Sequence, residues 1–326
     1  MMPGTEPSRT AATVALVMLA VAAAAVPLLP EWVIFFVTVA IAKGLVVLGL
    51  MVMWRSGLVP FGQALYFAGG AYTVGLLGRF AGVTDIVIAT IAGGIVGALL
   101  AALVGLLLAR YREIFFAMLS LAFSMILYGV LVKTETLGST DGIPVTKPTL
   151  FGAVLAPHAR LVSVYILTMI VAALSALFMR RYLNSTMGAL LEPIRDNEIR
   201  VEYLGASVQR TIHLMLVLAG GLAGLGGALT AYTIGHIDPT MAYWTTSGSF
   251  VFTTILAGTG SVFAPFAGAL VFEAIRTIAV SYVPQYWQII LGGSLLLIIL
   301  YVPGGLWSLF QRRRSAQPVA PKGKPA

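Results

Sequence analysis

The sequence predicts an all-α membrane protein, a polytopic transmembrane helical bundle of about 8–10 membrane segments. Three observations predict it. Of 326 residues, 59% are hydrophobic and only 10% charged, whereas soluble domains carry about 25% charged residues. Apolar runs near the ~20 residues that a helix needs to cross a bilayer fill most of the chain. No polar stretch is long enough to fold as a separate soluble domain. Residues 1–310 therefore form one transmembrane domain. Residues 311–326, basic and rich in proline, form a tail expected to be disordered.

The spans follow in order. Residues 11–29 form the first span; the first 26 residues, with Arg9 before an Ala/Val-rich stretch, also resemble a secretory signal, but a second span follows almost at once, which favours an uncleaved helix. Span 31–53 is apolar except for Lys43 near its middle. Span 57–78 opens on Pro60 and Gly62, holds Gln63, and is interrupted by glycines. Span 83–109 carries Gly93-Gly94-x-x-Gly97, a pattern for close helix packing. Spans 113–132 and 161–179 are continuous. Span 211–233 holds seven small or glycine positions within 220–228, again a packing surface. The segment 246–276 is long, but Ala-Gly-Thr-Gly-Ser at 257–261 and Pro265 break its middle. Span 285–303 closes the series.

Charge sets the expected orientation. Lys and Arg concentrate on cytoplasmic loops. With the charged 180–210 region inside, Arg9, Arg55, Arg110 and Arg112 also fall inside, and the loops at 79–82 and 133–160 fall outside. A single crossing by 246–276 would send Arg312, Arg313, Arg314, Lys322 and Lys324 outside. If that segment enters and returns, both termini are cytoplasmic, and 14 of the 20 Lys and Arg lie inside. The interrupted segments 57–78 and 246–276 sit in the two halves of the chain, which points to an internal inverted repeat and a central pathway.

Several chemistries are absent from the pattern. There is no cysteine, so there are no disulfides or thiolate metal sites. His158, His213 and His236 lack metal-ligand spacing. No Gly-x-x-x-x-Gly-Lys-Ser/Thr phosphate loop occurs. The positive charge is that of a membrane protein's loops, not of a nucleic-acid binder. No catalytic residue, metal or cofactor is expected.

The densest charge lies in an internal loop, where six charged residues fall between Glu192 and Glu202. Pro193 suits a first helical turn. Asp196 and Arg200 are four apart, and Glu192 and Arg195 three apart, as helical pairs require. Ile194, Val201 and Leu204 are spaced for one face, and Gly205 suits a C-terminal cap. This reads as one short amphipathic helix. Its polar face is mixed in charge rather than basic, which fits a protein partner better than anionic lipid.

The residues Gly188, Ile194-Arg195-Asp196-Asn197-Glu198 and Leu204-Gly205 resemble the ATPase-docking loop of bacterial ABC importer permeases. The likeness is to the branched-chain amino-acid (LivM-type) family in particular. It continues in Arg55-Ser-Gly-Leu-Val-Pro-Phe-Gly-Gln-Ala, in Ala68-Gly-Gly-Ala-Tyr72, in Arg112-Glu-Ile-Phe-Phe-Ala-Met-Leu-Ser-Leu-Ala-Phe and in Thr140-Asp-Gly-Ile143. It ends in the glycines of 220–229 and in Ala257-Gly-Thr-Gly-Ser-Val262. Pro193 and Thr259 depart from the family's usual small residue and glycine. The resemblance implies a transporter subunit that is not itself an enzyme, in a bacterial cytoplasmic (inner) membrane. Implied partners are a homologous second permease, two cytoplasmic ABC ATPases, an extracytoplasmic substrate-binding protein and membrane lipid. The docking residues it implies are Gly188, Glu192, Ile194, Arg195, Asp196, Glu198, Arg200 and Gly205. Urea or amide transport by a related ABC permease, and ion-coupled secondary transport, stand as alternatives.

Pathway residues are expected where charge or broken helix lies at membrane depth. The candidates are Lys43, Gln63, Gly258, Gly260, Ser261 and Glu273. Glu273 and Arg276 are three apart, and a pair on one helix face would neutralise itself.

Overall fold

The computed structural model describes residues 29–150, 152–301 and 304–308. Nearly all of the expected first span, and the basic tail, lie outside the described residues. The helices are α1 (Glu31–Arg55), α2 (Gln63–Phe80), α3 (Ile86–Leu108), α4 (Glu113–Lys133) and α5 (Pro157–Leu183). Three short helices follow, α6 (Thr186–Ala189), α7 (Leu191–Asp196) and α8 (Glu198–Tyr203). Then come α9 (Val208–Ile234), α10 (Trp244–Ala257), α11 (Ala264–Tyr282) and α12 (Trp287–Tyr301). Four two-residue strands, β1 (Ile143–Pro144), β2 (Thr149–Leu150), β3 (Ala153–Val154) and β4 (His236–Ile237), lie in loops. The chain is thus an all-α bundle. Among the described residues, six helices, α1, α3, α4, α5, α9 and α11, are long and apolar enough to cross a membrane.

The centre is α1 and α9. Of the apolar window of α1, 72% is buried, against 22% in α4, so α1 is wrapped by protein while α4 shows most of its surface outward. Helices in lipid gain little from apolar attraction and associate through close packing of small residues. The glycines of α9 supply that surface. A methyl added at Gly226 would meet the Ala42 carbonyl of α1, one at Gly227 the Phe67 carbonyl of α2, and one at Gly97 of α3 the Gly220 carbonyl. Three helices therefore touch α9 backbone to backbone, as the small-residue pattern predicts.

Local sequence explains the element ends. Asp85 caps α3, accepting from the Val87 and Ile88 amides at 2.9 and 3.2 Å. Ser207 accepts from the Arg210 amide to open α9, and Gly235, at φ +77°, closes it. Span 57–78 departs from a continuous helix. Residues 56–62 run irregularly into the bundle and α2 begins only at Gln63. Protein meets the polar groups here: the Phe61 amide donates to Ser120 Oγ at 3.0 Å, and the Ala64 amide, in the first turn of α2, to Ser247 Oγ at 3.1 Å.

Contacts sort the bundle into two ends. At one, Arg55 Nη2 donates to the Thr259 carbonyl at 2.6 Å, Arg112 pairs with Glu198, and residues 186–205 lie across the surface. At the other, His158 Nδ1 meets Glu31 Oε1 at 2.9 Å, and Ile143 of β1 pairs with Ile237 of β4. The broken segment is a helical hairpin. α10 has 14 residues, about 21 Å of helix, too short for a ~30 Å hydrocarbon core. It ends at Gly258, φ +78°, the turn at 258–263 sits beside Arg55, and α11 returns with Gly268 against Ala257. α12 then travels back, leaving Gly305 against Gly258. Segment 246–276 thus enters and returns, and α12 finishes at the Arg55 end.

Candidate functional site

Two polar assemblies stand out from the apolar bundle. The first is the 186–205 segment. The single amphipathic helix expected there is instead three short ones. Asn197 leaves helical geometry at φ −164°, and its side chain caps α8 by accepting from the Arg200 amide at 2.9 Å. A short polar side chain competes well with the helical ladder at such a break. The break separates Asp196 from Arg200, so the expected helical pair does not form. Arg195 instead reaches its neighbour Asp196 at 3.4 Å. The break also rotates the two apolar faces. Ile194 and Val201 are each 2% exposed and pack on the bundle, while Leu204 is 81% exposed, contrary to the shared face that spacing suggests.

The segment is tied down at both ends. Gly188 makes a tight turn against Tyr182 and Leu183, where a side chain would strike backbone. Gly205 closes α8 at φ +85° with open space around it. Glu198 accepts from Arg112 Nε at 2.6 Å, joining α8 to the first residues of α4. The stem of Arg195 passes over Gly57, in the connection between α1 and α2. Glu192, Asp196 and Arg200 point outward, with Ile199, Tyr203 and Leu204 exposed beside them at 65, 88 and 81%. Of the expected docking residues, only Ile194 is buried.

The second assembly lies inside the bundle. Lys43, the thirteenth residue of α1, puts Nζ 2.9 Å from both carboxylate oxygens of Glu273 on α11. Arg276, one turn further along α11, donates to Glu273 Oε1 at 3.1 Å. Its guanidinium also stands 5.8 Å from the centre of the Trp287 ring on α12, within reach of a cation–π contact. The self-neutralising pair is therefore a triad of two cations and one carboxylate, with one positive charge in excess. Charged groups at this depth are costly unless paired, and the triad pairs both helices across 230 positions of sequence. No periodicity could connect them. The sequence signal was that Lys43 is a lone charge within one apolar span and that Glu273 and Arg276 stand three apart in another.

The triad edges a cavity of about 500 Å³, within the usual size of a small-molecule site. Lys43 and Arg276 line it, and Glu273 stands behind them. Phe67, Phe250 and Phe272 form apolar wall, and Asp238 also lines the space. Phe67 of α2 and Phe250 of α10 meet edge to face at 5.2 Å, so the two broken segments touch here. The other candidates lie elsewhere. Gln63 is wholly buried, its amide without a partner among the described residues. Gly258, Gly260 and Ser261 form the α10–α11 turn near Arg55. Arg276, Asp238, Ser120 and Ser247 were not among the expected site residues. Serines in apolar helices carry no distinctive pattern, and only the fold shows that Ser120 and Ser247 satisfy broken backbone. No group of three potential metal ligands gathers among the described residues.

Comparison with known proteins accords with this architecture. Residues 32–300 match the family described as the permease component of the branched-chain amino acid transport system. The high-affinity branched-chain amino acid transport system permease protein LivM of Escherichia coli K12 is 28% identical over 310 residues, covering 86% of this chain and 72% of its own. The protein of the same name from Salmonella typhimurium LT2 is 27% identical over 306 residues, with the same coverage. No solved structure matches. A match over nearly all the described helices, on a bundle of apolar helices with one charged loop, places this multi-pass membrane chain in the family of branched-chain amino acid transport system permeases.

Proposed function

We propose that the chain is the membrane-spanning subunit of an ATP-driven importer for branched-chain amino acids or a related small solute. It lies in a bacterial cytoplasmic membrane with the Arg55 end of the bundle, and both termini, in the cytoplasm. It works with a homologous permease, two ATPases that hydrolyse ATP on its behalf, and an extracytoplasmic binding protein. The observation that carries this reading is the outward surface of α7 and α8. Exposed Ile199, Tyr203 and Leu204, among Glu192, Asp196 and Arg200, form an apolar patch with a charged rim, the anatomy of a protein interface.

The same segment offers a path for coupling. ATP-driven movement of the partner displaces α8. Glu198 carries that displacement to α4 through Arg112, and Arg195 carries it to the α1–α2 connection at Gly57. From there the irregular segment 56–62 leads into α2, whose Ala64 amide reaches α10 at Ser247 Oγ. The pathway in this reading runs where α2, α10 and α11 meet, with Lys43 and Glu273 beside it.

Ion-coupled transport would need a carboxylate free to take and release a cation. Glu273 is held by two cations, which favours the ATP-driven reading. The test is uptake of labelled leucine by cells with and without the ATPase partners, with the ion gradient intact. Uptake that stops without the ATPases supports the proposal. Uptake that persists overturns it. Competition by urea and simple amides, but not by leucine or valine, would reassign the substrate.

A further inference from the structure

We infer that the cavity between α1, α10, α11 and α12 is a binding site for a solute carboxylate, with Arg276 as the group that receives it. This deepens the proposed function by assigning a recognition element to the membrane subunit itself, and it rests on that reading for the solute's entry.

The argument begins with charge. Lys43 and Glu273 satisfy one another, with side chains only 19 and 10% exposed. Arg276 is left as the excess cation, and its side chain is 42% exposed. A guanidinium has five N–H donors in a planar fork. One hydrogen bond, to Glu273, is made among the described residues. The fork is also oriented, because Glu273 holds one nitrogen and Trp287 lies against the group. An oriented fork facing a cavity is suited to a carboxylate, which it can grip with two parallel hydrogen bonds.

The second part concerns the cavity walls. Both cations of the triad line the space and their carboxylate partner does not. A solute inside therefore meets the cations Lys43 and Arg276, one carboxylate from Asp238 that already accepts from the Thr240 amide, hydroxyls such as Thr245 and Ser249, and aromatic surface from Phe67, Phe250 and Phe272. That combination suits a small molecule with a carboxylate and an aliphatic body. A neutral amide such as urea would gain neither the charge nor the apolar contact. Lys43 acts as a positioning residue: it anchors Glu273, which in turn fixes Arg276.

The test uses the absence of cysteine from this chain. Thr245 and Ser249 line the cavity, so Thr245→Cys and Ser249→Cys serve as reporters. Each is expressed with the rest of the transporter in membrane vesicles and labelled with a small polar thiol reagent. The solutes are leucine, 4-methylpentanoate, leucinamide and urea. Leucine and 4-methylpentanoate, which carry the carboxylate, are expected to slow labelling, and leucinamide and urea are not. Arg276→Gln should raise the protecting concentration of leucine at least tenfold, and Arg276→Lys, which keeps charge but loses the fork, should fall between.

Equal protection by leucine and leucinamide overturns the inference. So does protection unchanged by Arg276→Gln, the absence of protection by any solute, or failure of both reporters to react. If neither Arg276 variant assembles with its partners, the ranking of the four solutes on the Arg276 protein decides alone. The two readings fail separately. ATP-dependent leucine uptake without cavity protection removes the carboxylate site and leaves the importer. Cavity protection without uptake of any branched-chain amino acid removes the importer and leaves the site.

Discussion

At the scale of single residues, the Lys43–Glu273–Arg276 triad makes an asymmetric prediction. Removing one partner of a buried pair typically costs about 3–5 kcal/mol, because the other charge is left uncompensated. Here the two partners are not equivalent. Lys43→Met leaves Glu273 and Arg276 as a neutral pair. Glu273→Gln leaves two cations facing each other in an apolar bundle. Glu273→Gln should therefore lower the thermal stability of the purified protein more than Lys43→Met does. The double variant Lys43→Met/Glu273→Leu should recover part of the loss caused by Glu273→Gln. Equal losses for the two single variants would mean that the charges are solvated and the triad is not a unit. The glycines make a second contrast. Gly227 abuts the Phe67 carbonyl, while Gly129 in α4 has nothing near its missing side chain. Gly227→Ala should reduce the folded yield. Gly129→Ala should be neutral or stabilising by up to ~1 kcal/mol, since it only raises helix propensity. Comparing the two as monodisperse protein after extraction checks this.

At the scale of elements, the three-helix loop has one face seated on the bundle and one turned outward. Ile194 and Val201 face the bundle, and Tyr203 and Leu204 face outward. Tyr203→Ala or Leu204→Ser should reduce co-purification of the ATPase partners, about tenfold or more if either is an anchor of the interface, with insertion unchanged. Val201→Asp should instead unseat the loop and lower the stability of the permease by itself. If Tyr203 and Leu204 variants retain partners at wild-type level, α8 is not the dock. Gly205 adds a conformational check. Its positive φ of +85° is hard for a β-branched residue, with a cost of about 1–3 kcal/mol, while asparagine tolerates it. Since space around Gly205 is open, Gly205→Asn should preserve uptake and Gly205→Val should impair it. Two equally impaired variants would point to side-chain crowding by a partner instead of backbone strain.

At the scale of the whole molecule, the hairpin of α10 and α11 decides the parity of the chain. Its turn lies beside Arg55 and Gly305 lies against Gly258, so residues 304–308 share an end of the bundle with the 186–205 segment. Impermeant thiol reagents on intact cells provide the measurement. Cysteine at Lys147 should label from outside, and cysteine at Arg181 only after the membrane is opened. Labelling of both from the same side would overturn the arrangement. The hairpin also explains why α10 can be too short to span. Its ends are met by protein: by Arg55 at the turn, and by Ser247 joining α2 near its start. Irregular backbone at membrane depth persists only where such partners exist.

Much of this was legible in the sequence, for physical reasons that differ by feature. Apolar length dictates which segments cross a membrane, since an unpaired backbone has no other solution in lipid. Glycine pattern marked the faces on which α3 and α9 pack, and the Gly/Pro break at 257–265, weighed with the tail's charge, marked the hairpin. The charged loop announced itself by composition, but not its shape: the competition between Asn197's side chain and the helical ladder was invisible to periodicity, so the faces of α7 and α8 were misaligned by it. The intramembrane site was only half visible. Lys43 was conspicuous as a lone charge, and Glu273 with Arg276 as a close pair, yet the pairing of Lys43 with Glu273, the release of Arg276 as the excess cation, and the cavity that Arg276 faces depend on α1 and α11 lying side by side. Sequence determines where charge and broken helix occur along the chain. Only the tertiary structure decides which of them meet, because pairing across 230 residues is set by helix packing and leaves no local trace.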